Sequence, residues 1–431
     1  MSNKLRAAIH NLGCKVNAYE AERMAEKLQK AGYEIVSFEE PSDYYIVNTC
    51  SVTNIADRKT RQMLHRARKN NPEAVIVAAG CYVDTAGGQT DNSIDIAVPN
   101  SSKEDIADIL KAWEESHDRA GKSGESRDRE GAFPETWGRG EGIHTRRFLK
   151  VQDGCNMFCS YCIIPYARGR IKSRSISDVL SETKELAGRG SSEFVLTGIH
   201  LSSFGKEKED PKECLTELIK RMDETEGVKR IRLGSLEPTL ITEEFIREIK
   251  GIESLCPHFH LSLQSGCDSV LKRMNRHYTG EGYLNSVRIL REAFEDPAIT
   301  TDVIVGFPGE TEEEFEVTKA FLREADLYET HIFPYSRRRG TPAERMEGQL
   351  TEKEKHKRLE ILKAEDQKRR RAFEDRHIGK EAEVLFEDCN QGYTREYIRV
   401  RLSGNEVSPG TIIKGRIAGR MPDGRMEFLT D

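Results

Sequence analysis

Short apolar runs alternate with helix-length polar segments over the first part of the chain. Runs at residues 7–10, 44–47 and 74–79 are each followed by a loop and then by a segment with helical spacing. Strands that alternate with helices in this way are typical of a mostly parallel sheet covered by helices. The pattern therefore predicts an N-terminal open parallel-sheet α/β domain over residues 1–115.

Six further strand-like runs recur between residues 143 and 350. The segments between them are long enough for helices, so the pattern predicts six βα units that form a central partial (β/α)6 barrel. Residues 116–142, which precede these runs, are mostly charged or small, and we expect a polar linker there. The six runs lie at residues 148–152, 193–197, 230–234, 259–263, 300–305 and 331–335.

The C-terminal part of the chain changes pattern twice. Residues 351–376 combine many charges with few apolar positions, which predicts a largely solvated helical connector. Residues 377–431 then show short β-rich runs separated by Gly, Pro and Asn, which predicts a small antiparallel β-barrel. The predicted fold class is therefore α/β, with an open parallel-sheet domain, a partial barrel and a small C-terminal β-barrel. The β-rich runs lie at residues 381–386, 397–402, 411–417 and 426–429.

Length and composition restrict the class of protein. A chain of 431 residues is long enough for about two to four domains. No window approaches the ~20 apolar residues of a membrane span, and the N-terminus lacks the apolar segment of a signal peptide. We therefore expect a cytoplasmic protein with no membrane partner. The net charge of −6 gives no general sign of nucleic-acid binding, so any RNA contact must come from local basic patches.

Three cysteines, Cys155, Cys159 and Cys162, lie within eight residues and have no fourth ligand nearby in the sequence. A closed structural zinc site needs four protein ligands, whereas an iron–sulfur cluster with one unligated iron can bind a small molecule there. The spacing therefore predicts a catalytic cluster. Two alternatives stay open, a zinc loop completed by a distant Cys or His, or three unrelated buried thiols.

Three other cysteines follow the N-terminal strands. Cys14, Cys50 and Cys81 each come within a few residues of the end of an apolar run. The carboxyl ends of parallel strands meet at one edge of a sheet, where ligands bind, so the three thiols are predicted to converge on a second cluster. Ordinary buried cysteines at strand ends are the alternative. We assign the four cysteines without paired spacing to packing: Cys214, Cys256, Cys267 and Cys389.

Polar residues mark the predicted rim of the central barrel. Catalytic and binding residues of βα barrels lie where strands end, so we expect cofactor-binding side chains there. A lone histidine at such a position, such as His260, is more often part of hydrogen-bonded structure than a ligand. The candidate cofactor-binding residues are Thr197, Gly198, Ser235, Glu237, Gln264 and Asp302.

A basic segment directly follows the Cys50 loop. Its cations are candidates for phosphate contacts with RNA, and a solvated helix face is the alternative. A second basic strip, which follows the Cys155 triplet, could guide RNA or hold a cofactor. The candidate substrate-binding residues of the first segment are Arg58, Arg61, Arg66, Arg68 and Lys69, and the second strip contains Arg168, Arg170, Lys172 and Arg174.

The spacing Cys155-x3-Cys159-x2-Cys162 resembles the signature of radical S-adenosylmethionine enzymes. Together with Cys14, Cys50 and Cys81 and a small β-domain similar to the TRAM domain, it resembles the layout of the methylthiotransferases over nearly the whole chain. Residues 11–17 and 48–59 look most like the branch of that family that acts on threonylcarbamoyladenosine in tRNA. Further matches lie at residues 80–82, 197–198, 260–266, 302–311 and 333–336.

The resemblance implies two 4Fe-4S clusters and S-adenosylmethionine as cofactors. Cys155, Cys159 and Cys162 would be the catalytic ligands, and the open iron of their cluster would bind S-adenosylmethionine and generate a 5′-deoxyadenosyl radical. The cluster on Cys14, Cys50 and Cys81 would supply the sulfur that becomes the methylthio group.

The resemblance also implies a substrate and partners. The reaction would take place at C2 of N6-threonylcarbamoyladenosine beside the anticodon, because a loop base can be splayed into a pocket. The implied partners are the tRNA anticodon loop and a low-potential electron donor such as flavodoxin or ferredoxin, and we expect a monomer.

Two alternative functions remain at the level of the sequence. The first keeps the chemistry but changes the substrate to isopentenyladenosine in tRNA or to a ribosomal-protein side chain. The second is a non-catalytic iron–sulfur protein that binds RNA through its small barrel and senses redox state. Formation of 5′-deoxyadenosine distinguishes the enzymes from the sensor.

Overall fold

The chain forms two compact units in the computed structural model, which describes residues 4–85, 91–117, 145–404 and 406–430. The first unit comprises Met1–Gly142, Cys162–Arg170 and Ser336–Gly340, and the second comprises Ile143–Tyr161, Ile171–Tyr335 and Thr341–Asp431. Of the predicted linker at 116–142, residues 118–142 lie outside the described residues. Among the residues described, no helix combines the length and the apolar character needed to cross a membrane.

The first unit contains a five-stranded parallel sheet in the order β2-β1-β3-β4-β5. Its central strands are apolar and fully buried, as expected of parallel strands covered on both faces. The three predicted strands are confirmed. The two edge strands were not predicted, because three residues are too few for a readable pattern. The strands are β1 (Arg6–Asn11), β2 (Glu34–Val36), β3 (Tyr44–Thr49), β4 (Val75–Gly80) and β5 (Ile96–Val98).

Helices and one 3-10 segment, Asn100–Asp105, surround this sheet. Apolar side chains of α1 and α4 cover one face, while α2 covers the other through Leu64 and Ala67. The last helix of the unit comes from the inserted segment Cys162–Arg170. The helices are α1 (Lys15–Lys30), α2 (Asn54–Asn70), α3 (Cys81–Thr85), α4 (Ile106–Ser116) and α5 (Ile164–Arg168).

The second unit contains the predicted partial barrel. One parallel sheet has the order β10-β9-β6 and another has the order β11-β12-β13-β14, and the run from β10 to β11 passes from the first sheet to the second. Gly234 lies between these two strands, where a Cβ would come 2.8 Å from the carbonyl oxygen of Leu196. The strands are β6 (Arg146–Lys150), β7 (Gln152–Asp153), β8 (Lys172–Ser173), β9 (Glu193–Thr197), β10 (Arg230–Leu233), β11 (Ser235–Leu236), β12 (His258–Leu261), β13 (Ala298–Val305) and β14 (Glu329–Pro334).

An outer layer of helices packs on these strands through one large apolar core. The short pair β7 and β8 is antiparallel and stands apart from the two sheets. The helices are α6 (Ile176–Gly188), α7 (Leu215–Asp223), α8 (Glu243–Ile249), α9 (Asp268–Arg273), α10 (Gly280–Ala293) and α11 (Glu312–Ala325).

A long helix, α12 (Glu352–Asp375), begins at a capping box formed by Thr351 and Glu354. The prediction that this segment is largely solvated is wrong for one face. Leu359, Leu362 and Phe373 are buried on that face, and the helix packs against β14. Sparse apolar positions were enough to bury a stripe because the surrounding charges also find partners, such as Arg358 with Glu310 at 2.7 Å.

The C-terminal strands form a closed barrel in the order β15-β16-β17-β19-β18. The predicted small barrel is confirmed, with the difference that β17 and β19 pair in parallel. Strand β16 was not predicted, because three of its four residues are small or polar. The strands are β15 (Glu381–Phe386), β16 (Gln391–Thr394), β17 (Arg399–Leu402), β18 (Ile412–Arg420) and β19 (Met426–Thr430).

A buried ionic cluster joins the small barrel to the partial barrel within the second unit. Glu193 is fully buried and accepts hydrogen bonds from Arg146 at 2.6 Å and from Arg232 at 2.8 Å. Burial alone would raise the pKa of Glu193, but the charges of Arg232 and Arg146 lower it to about 2. Arg230 and Arg232 also donate to carbonyl oxygens of the small barrel, those of Glu383, Tyr393, Thr394 and Arg395.

We expect Glu193→Gln to destabilise the protein, because it removes the carboxylate that several buried guanidinium groups share. Breaking a buried ion pair in this way costs about 3–5 kcal/mol, which urea unfolding of the full chain would detect as an earlier midpoint. Glu248→Gln, at the exposed pair with Lys220, is the matched control and should leave the midpoint unchanged. Equal midpoints for the two variants would contradict this account of the cluster.

Candidate iron–sulfur sites

The three N-terminal cysteines leave neighbouring strands at the same edge of the first unit's sheet. Cys14 is the N-cap of α1, Cys50 follows β3, and Cys81 begins α3 directly after β4. Because β1, β3 and β4 are adjacent and parallel, their carboxyl ends lie side by side. Cys50 and Cys81 are buried and Cys14 is exposed. The structure therefore places these thiols as the sequence predicts.

Local packing draws the Cys14 loop against Cys50. Gly13 has a φ of 105°, and a Cβ at this position would come 2.9 Å from the Sγ atom of Cys50. Asn17 donates from Nδ2 to the carbonyl oxygens of Leu12 at 2.7 Å and Thr49 at 2.9 Å, which ties the two loops together. Only glycine accepts this conformation and this approach without strain.

The three thiols also affect one another electrostatically. The pKa of Cys50 is raised to about 11, mainly by burial, and the nearby Cys81 and Cys14 contribute to this rise. Asn100 lies with its Nδ2 atom 3.4 Å from the Sγ atom of Cys81. Three converging thiols are one fewer than a closed zinc site requires, so this donor set fits an iron–sulfur cluster with one open iron.

In the second unit, the loop that follows β7 carries Cys155 and Cys159. Phe158 adopts a φ of 49°, and Asn275 holds this strained turn by donating from Nδ2 to the carbonyl oxygens of Met157 and Phe158. The backbone N–H of Met157 points at the Sγ atom of Cys155 at 3.4 Å. Cys162, three residues after Cys159, begins the inserted segment of the first unit.

Arg276 connects Cys159 to one of the predicted cofactor-binding residues. Its Nη1 atom lies 3.1 Å from the Sγ atom of Cys159, and its Nη2 atom donates to Glu237 at 2.7 Å. Burial would raise the pKa of Glu237, but a hydrogen bond from His200 and the charge of Arg276 lower it. Among the described residues, Oε1 of Glu237 is buried and has no hydrogen-bond partner. Such an atom fits a group that donates hydrogen bonds, as the ammonium and hydroxyl groups of S-adenosylmethionine do.

Gln152 fixes the loop that leads to Cys155. Its Nε2 atom donates to the carbonyl oxygen of Gly154 at 2.8 Å, and its Oε1 atom accepts from the backbone N–H of His200 at 2.8 Å. A Cβ at Gly198 would come 2.8 Å from that Oε1 atom. Gly198 therefore supports the loop through Gln152. Thr197 lies buried at the end of β9, and its proposed contact with a cofactor stays a prediction.

The predicted Asp302 and the considered His260 lie on the adjacent strands β13 and β12, and His331 on β14, which the sequence analysis did not single out, joins them. Ligand atoms of His260, Asp302 and His331 all lie within 4.8 Å of one another. His260 contacts Thr300 through Nδ1 at 3.0 Å, so its Nε2 atom faces Asp302 at 3.4 Å. Ser235 lies beside His260 in the strand register, and Gln264 donates its backbone N–H to the carbonyl oxygen of Asp302. For Ser235, Gln264 and Asp302, contact with a cofactor stays a prediction.

The predicted RNA-binding residues lie on α2 and differ in their surroundings. Arg58, Arg61 and Lys69 are exposed. Arg66 is exposed and pairs with Glu39. Arg68 instead pairs with Asp95 at 2.6 Å and donates to three nearby carbonyl oxygens, so it anchors the end of the helix.

Sequence reasoning missed two arginines at these sites. Arg276 gave no local signal, because its contact with Cys159 depends on tertiary placement. Arg168 was noticed as part of a basic strip, but it is buried beside Asn17 and Glu20 in the first unit. Arg168 lies six residues after Cys162, in a segment that belongs to the first unit. The charge pattern of the sequence does not indicate that its side chain is buried.

Sequence profiles of two families match the chain. That of the Radical SAM superfamily matches residues 149–322, and that of Uncharacterized protein family UPF0004 matches residues 6–98. By structure, the radical S-adenosylmethionine methyltransferase TsrM of Kitasatospora setae, in a form with cobalamin and a [4Fe-4S] cluster bound, is similar with a TM-score of 0.56 and 16% identity. The match covers 79% of this chain and 77% of the TsrM chain. That likeness concerns the fold alone.

Curated relatives match over nearly the full length. The threonylcarbamoyladenosine tRNA methylthiotransferase MtaB of Bacillus subtilis (strain 168) is 39% identical over 95% of this chain and 93% of its own. The protein of the same name from Aquifex aeolicus (strain VF5) is also 39% identical, over 93% of this chain and 97% of its own length. The tRNA-2-methylthio-N(6)-dimethylallyladenosine synthase of Clostridium tetani (strain Massachusetts / E88) is 34% identical, over 95% of this chain and 93% of its own length.

The two family matches of the chain include both thiol-bearing regions, and its full-length relatives are named as methylthiotransferases, which excludes the non-catalytic redox sensor. Two 4Fe-4S clusters and S-adenosylmethionine are the cofactors of the group, and each thiol set has the number of donors that a cluster with an open iron needs. The chain belongs to the radical S-adenosylmethionine methylthiotransferases.

Proposed function

We propose that the protein inserts a methylthio group at C2 of N6-threonylcarbamoyladenosine beside the anticodon of tRNA. The observation that carries this proposal is the identity to relatives named for that substrate, 39% against 34% for the relative from Clostridium tetani named for dimethylallyladenosine. The relative from Clostridium tetani makes dimethylallyladenosine the other candidate substrate. A tRNA substrate also favours a cytoplasmic location.

The inner face of the barrel supports the more polar of the two substrates. On β13, Ile299, Val303 and Val305 pack into the core with the outer helices, so Asp302 faces the other way. A threonylcarbamoyl group carries a carboxylate and a hydroxyl, whereas a dimethylallyl group is apolar. A buried polar group needs hydrogen-bonding partners, and His260, Asp302 and His331 offer them on three neighbouring strands.

We further propose that Cys155, Cys159 and Cys162 hold the catalytic cluster, and that Cys14, Cys50 and Cys81 hold the auxiliary one. With that catalytic cluster reduced by a donor such as flavodoxin or ferredoxin, bound S-adenosylmethionine would supply the radical chemistry. Arg276 donates to Cys159 and orients Glu237, whose buried Oε1 atom is available to accept a hydrogen bond from the bound cofactor.

The two clusters are expected to fail differently when their ligands are removed. Cys159→Ala should abolish formation of 5′-deoxyadenosine, whereas Cys50→Ala should permit it but stop methylthiolation of tRNA. Both products can be followed by mass spectrometry after anaerobic reconstitution. Cys389→Ala, in the small barrel, is the control and should keep both activities. Methylthiolation by either cluster variant would remove its cysteine from the proposed site.

The exposed cations of α2 are expected to bind tRNA phosphates. Replacing Arg58, Arg61 and Lys69 together by Ala should weaken tRNA binding and flatten its salt dependence, by about 0.7–0.9 in the logarithmic slope for each phosphate that is no longer neutralised. A control variant replaces three exposed lysines of α12 by Ala, Lys353, Lys357 and Lys368. An equally flattened slope in both variants would mean that general charge, not this helix, determines binding.

His331 is expected to contribute to substrate choice, because it is the most exposed member of the polar group on the barrel strands. His331→Leu should lower kcat/KM for tRNA with threonylcarbamoyladenosine by at least about tenfold, since an unsatisfied polar group costs roughly 1–3 kcal/mol. Activity on tRNA with dimethylallyladenosine should not fall in parallel. His356→Leu, an exposed histidine of α12, is the control. An equal fall for both substrates would refute the role in discrimination.

A further inference from the structure

The inner face of the partial barrel presents an exposed aromatic ring. Phe333, on β14, is 48% exposed, and of the phenylalanines among the described residues it alone is exposed. Its neighbour Ile332 packs against the core that the strands share with the outer helices, and successive side chains of a strand point to opposite faces. Phe333 therefore points to the inner side of the barrel, the same side as His331.

The inner faces of β13 and β14 carry a polar level and, further along the strands, an apolar level. Asp302 is in register with His331 at the polar level, and Ile304 is in register with Phe333 at the apolar level. Two residues separate the levels on each strand, so they lie about 6.6 Å apart. His260 adds its Nε2 atom to the polar level, 3.4 Å from Asp302. A flat ring system with a polar substituent at one edge fits such a surface.

The apolar level lies towards the loop that carries the catalytic cysteines of this unit. Ile304 packs against a small apolar cluster that contains Phe307 and Tyr335, and Tyr161 packs against the same cluster. The rings of Tyr161 and Phe307 meet edge to face, with their centroids 6.5 Å apart. Tyr161 lies two residues after Cys159. A ring held at the apolar level is therefore closer to the catalytic loop than a group held at the polar level.

The position of Phe333 distinguishes it from an ordinary exposed apolar residue. Single apolar side chains on an outer surface are common and need no ligand. Phe333 instead shares its face with hydrogen-bonding groups. Proteins read a base that is splayed from RNA by stacking it on an aromatic side chain and by hydrogen bonds to its edges. Stacking uses the face that all purines have, so it does not depend on the N6 substituent, whereas hydrogen bonds at the polar level do.

We propose that Phe333 binds the target base by stacking. The purine ring of the tRNA adenosine lies against the Phe333 ring, and its N6 substituent extends to His331 and Asp302. This inference rests on the proposed function, in that the substrate is an N6-modified adenosine of tRNA, but it holds for either N6 substituent. S-adenosylmethionine carries an adenine as well, so the test must separate the base of the tRNA from that of the cofactor.

The test compares Phe333→Leu with Phe333→Tyr in the full chain after anaerobic reconstitution. Leu keeps an apolar side chain but has no aromatic face, whereas Tyr keeps that face. Phe333→Leu should raise the KM for tRNA and lower kcat/KM at least about tenfold, by the same factor for each tRNA that the parent chain modifies. Phe333→Tyr should stay near the parent. The KM for S-adenosylmethionine, measured from 5′-deoxyadenosine formed without tRNA, should not change in either variant.

Val317→Ala is the matched control, because it truncates an apolar side chain of similar exposure, 49%, on the outer helix α11. It should leave both KM values unchanged. Unchanged kcat/KM in Phe333→Leu, or an equal loss in Phe333→Leu and Phe333→Tyr, would overturn the inference. A raised KM for S-adenosylmethionine with an unchanged KM for tRNA would also overturn it, since the ring would then hold the adenine of the cofactor.

Iron content shows whether each variant retains its clusters. If Phe333→Leu loses them, Phe333→Gln decides the question, and loss of the clusters in both variants would make the ring structural and overturn the inference. The parent chain tests the proposed function separately. If the parent modifies dimethylallyladenosine alone, the proposed substrate is wrong and the Leu and Tyr variants are compared on that tRNA. A parent that modifies neither tRNA would overturn the proposed function, and the inference with it.

Discussion

Parallel pairing of three adjacent strands is the constraint on which the auxiliary site depends. Asn11 is in register with Asn48, and Thr49 is in register with Gly80, so β1, β3 and β4 end at nearly the same level of the sheet. The chain therefore leaves all three strands at one edge. Cys50 and Cys81 follow their strands at once, and the positive φ of Gly13 returns the Cys14 loop to the same place. No sequence motif is needed to bring these distant residues together.

Two buried ionic clusters in the molecule have different consequences. In the second unit, the guanidinium groups around Glu193 also find carbonyl oxygens, so their hydrogen-bonding capacity is used within the protein. Such a network fixes the small barrel on β9 and β10 and does not leave it as a tethered module. In the first unit, Lys103 and Arg168 share Glu20 beside three thiols. There the charged side chains lie beside the loops that carry the thiols, with Arg168 donating to Asn17 and Lys103 lying against Gly80.

The sequence predicted those features that follow from local pattern. Apolar runs located the main strands of both units, and the spacing of Cys155, Cys159 and Cys162 identified the family. The edge strands Glu34–Val36 and Ile96–Val98 were too short to show a pattern. Arg168 and Arg276 could not be assigned, because a cation that will be buried looks the same in sequence as one that faces solvent. Their roles depend on contacts between segments more than a hundred residues apart.

The substrate is the central claim, and a competition between two tRNAs tests it most directly. One tRNA carries N6-threonylcarbamoyladenosine and the other carries N6-dimethylallyladenosine, and both are incubated with reconstituted protein, reductant and S-adenosylmethionine. The nucleosides are then examined by mass spectrometry. The account predicts a methylthio mass shift on the threonylcarbamoyl nucleoside in preference to the other. A shift confined to the dimethylallyl nucleoside would contradict it.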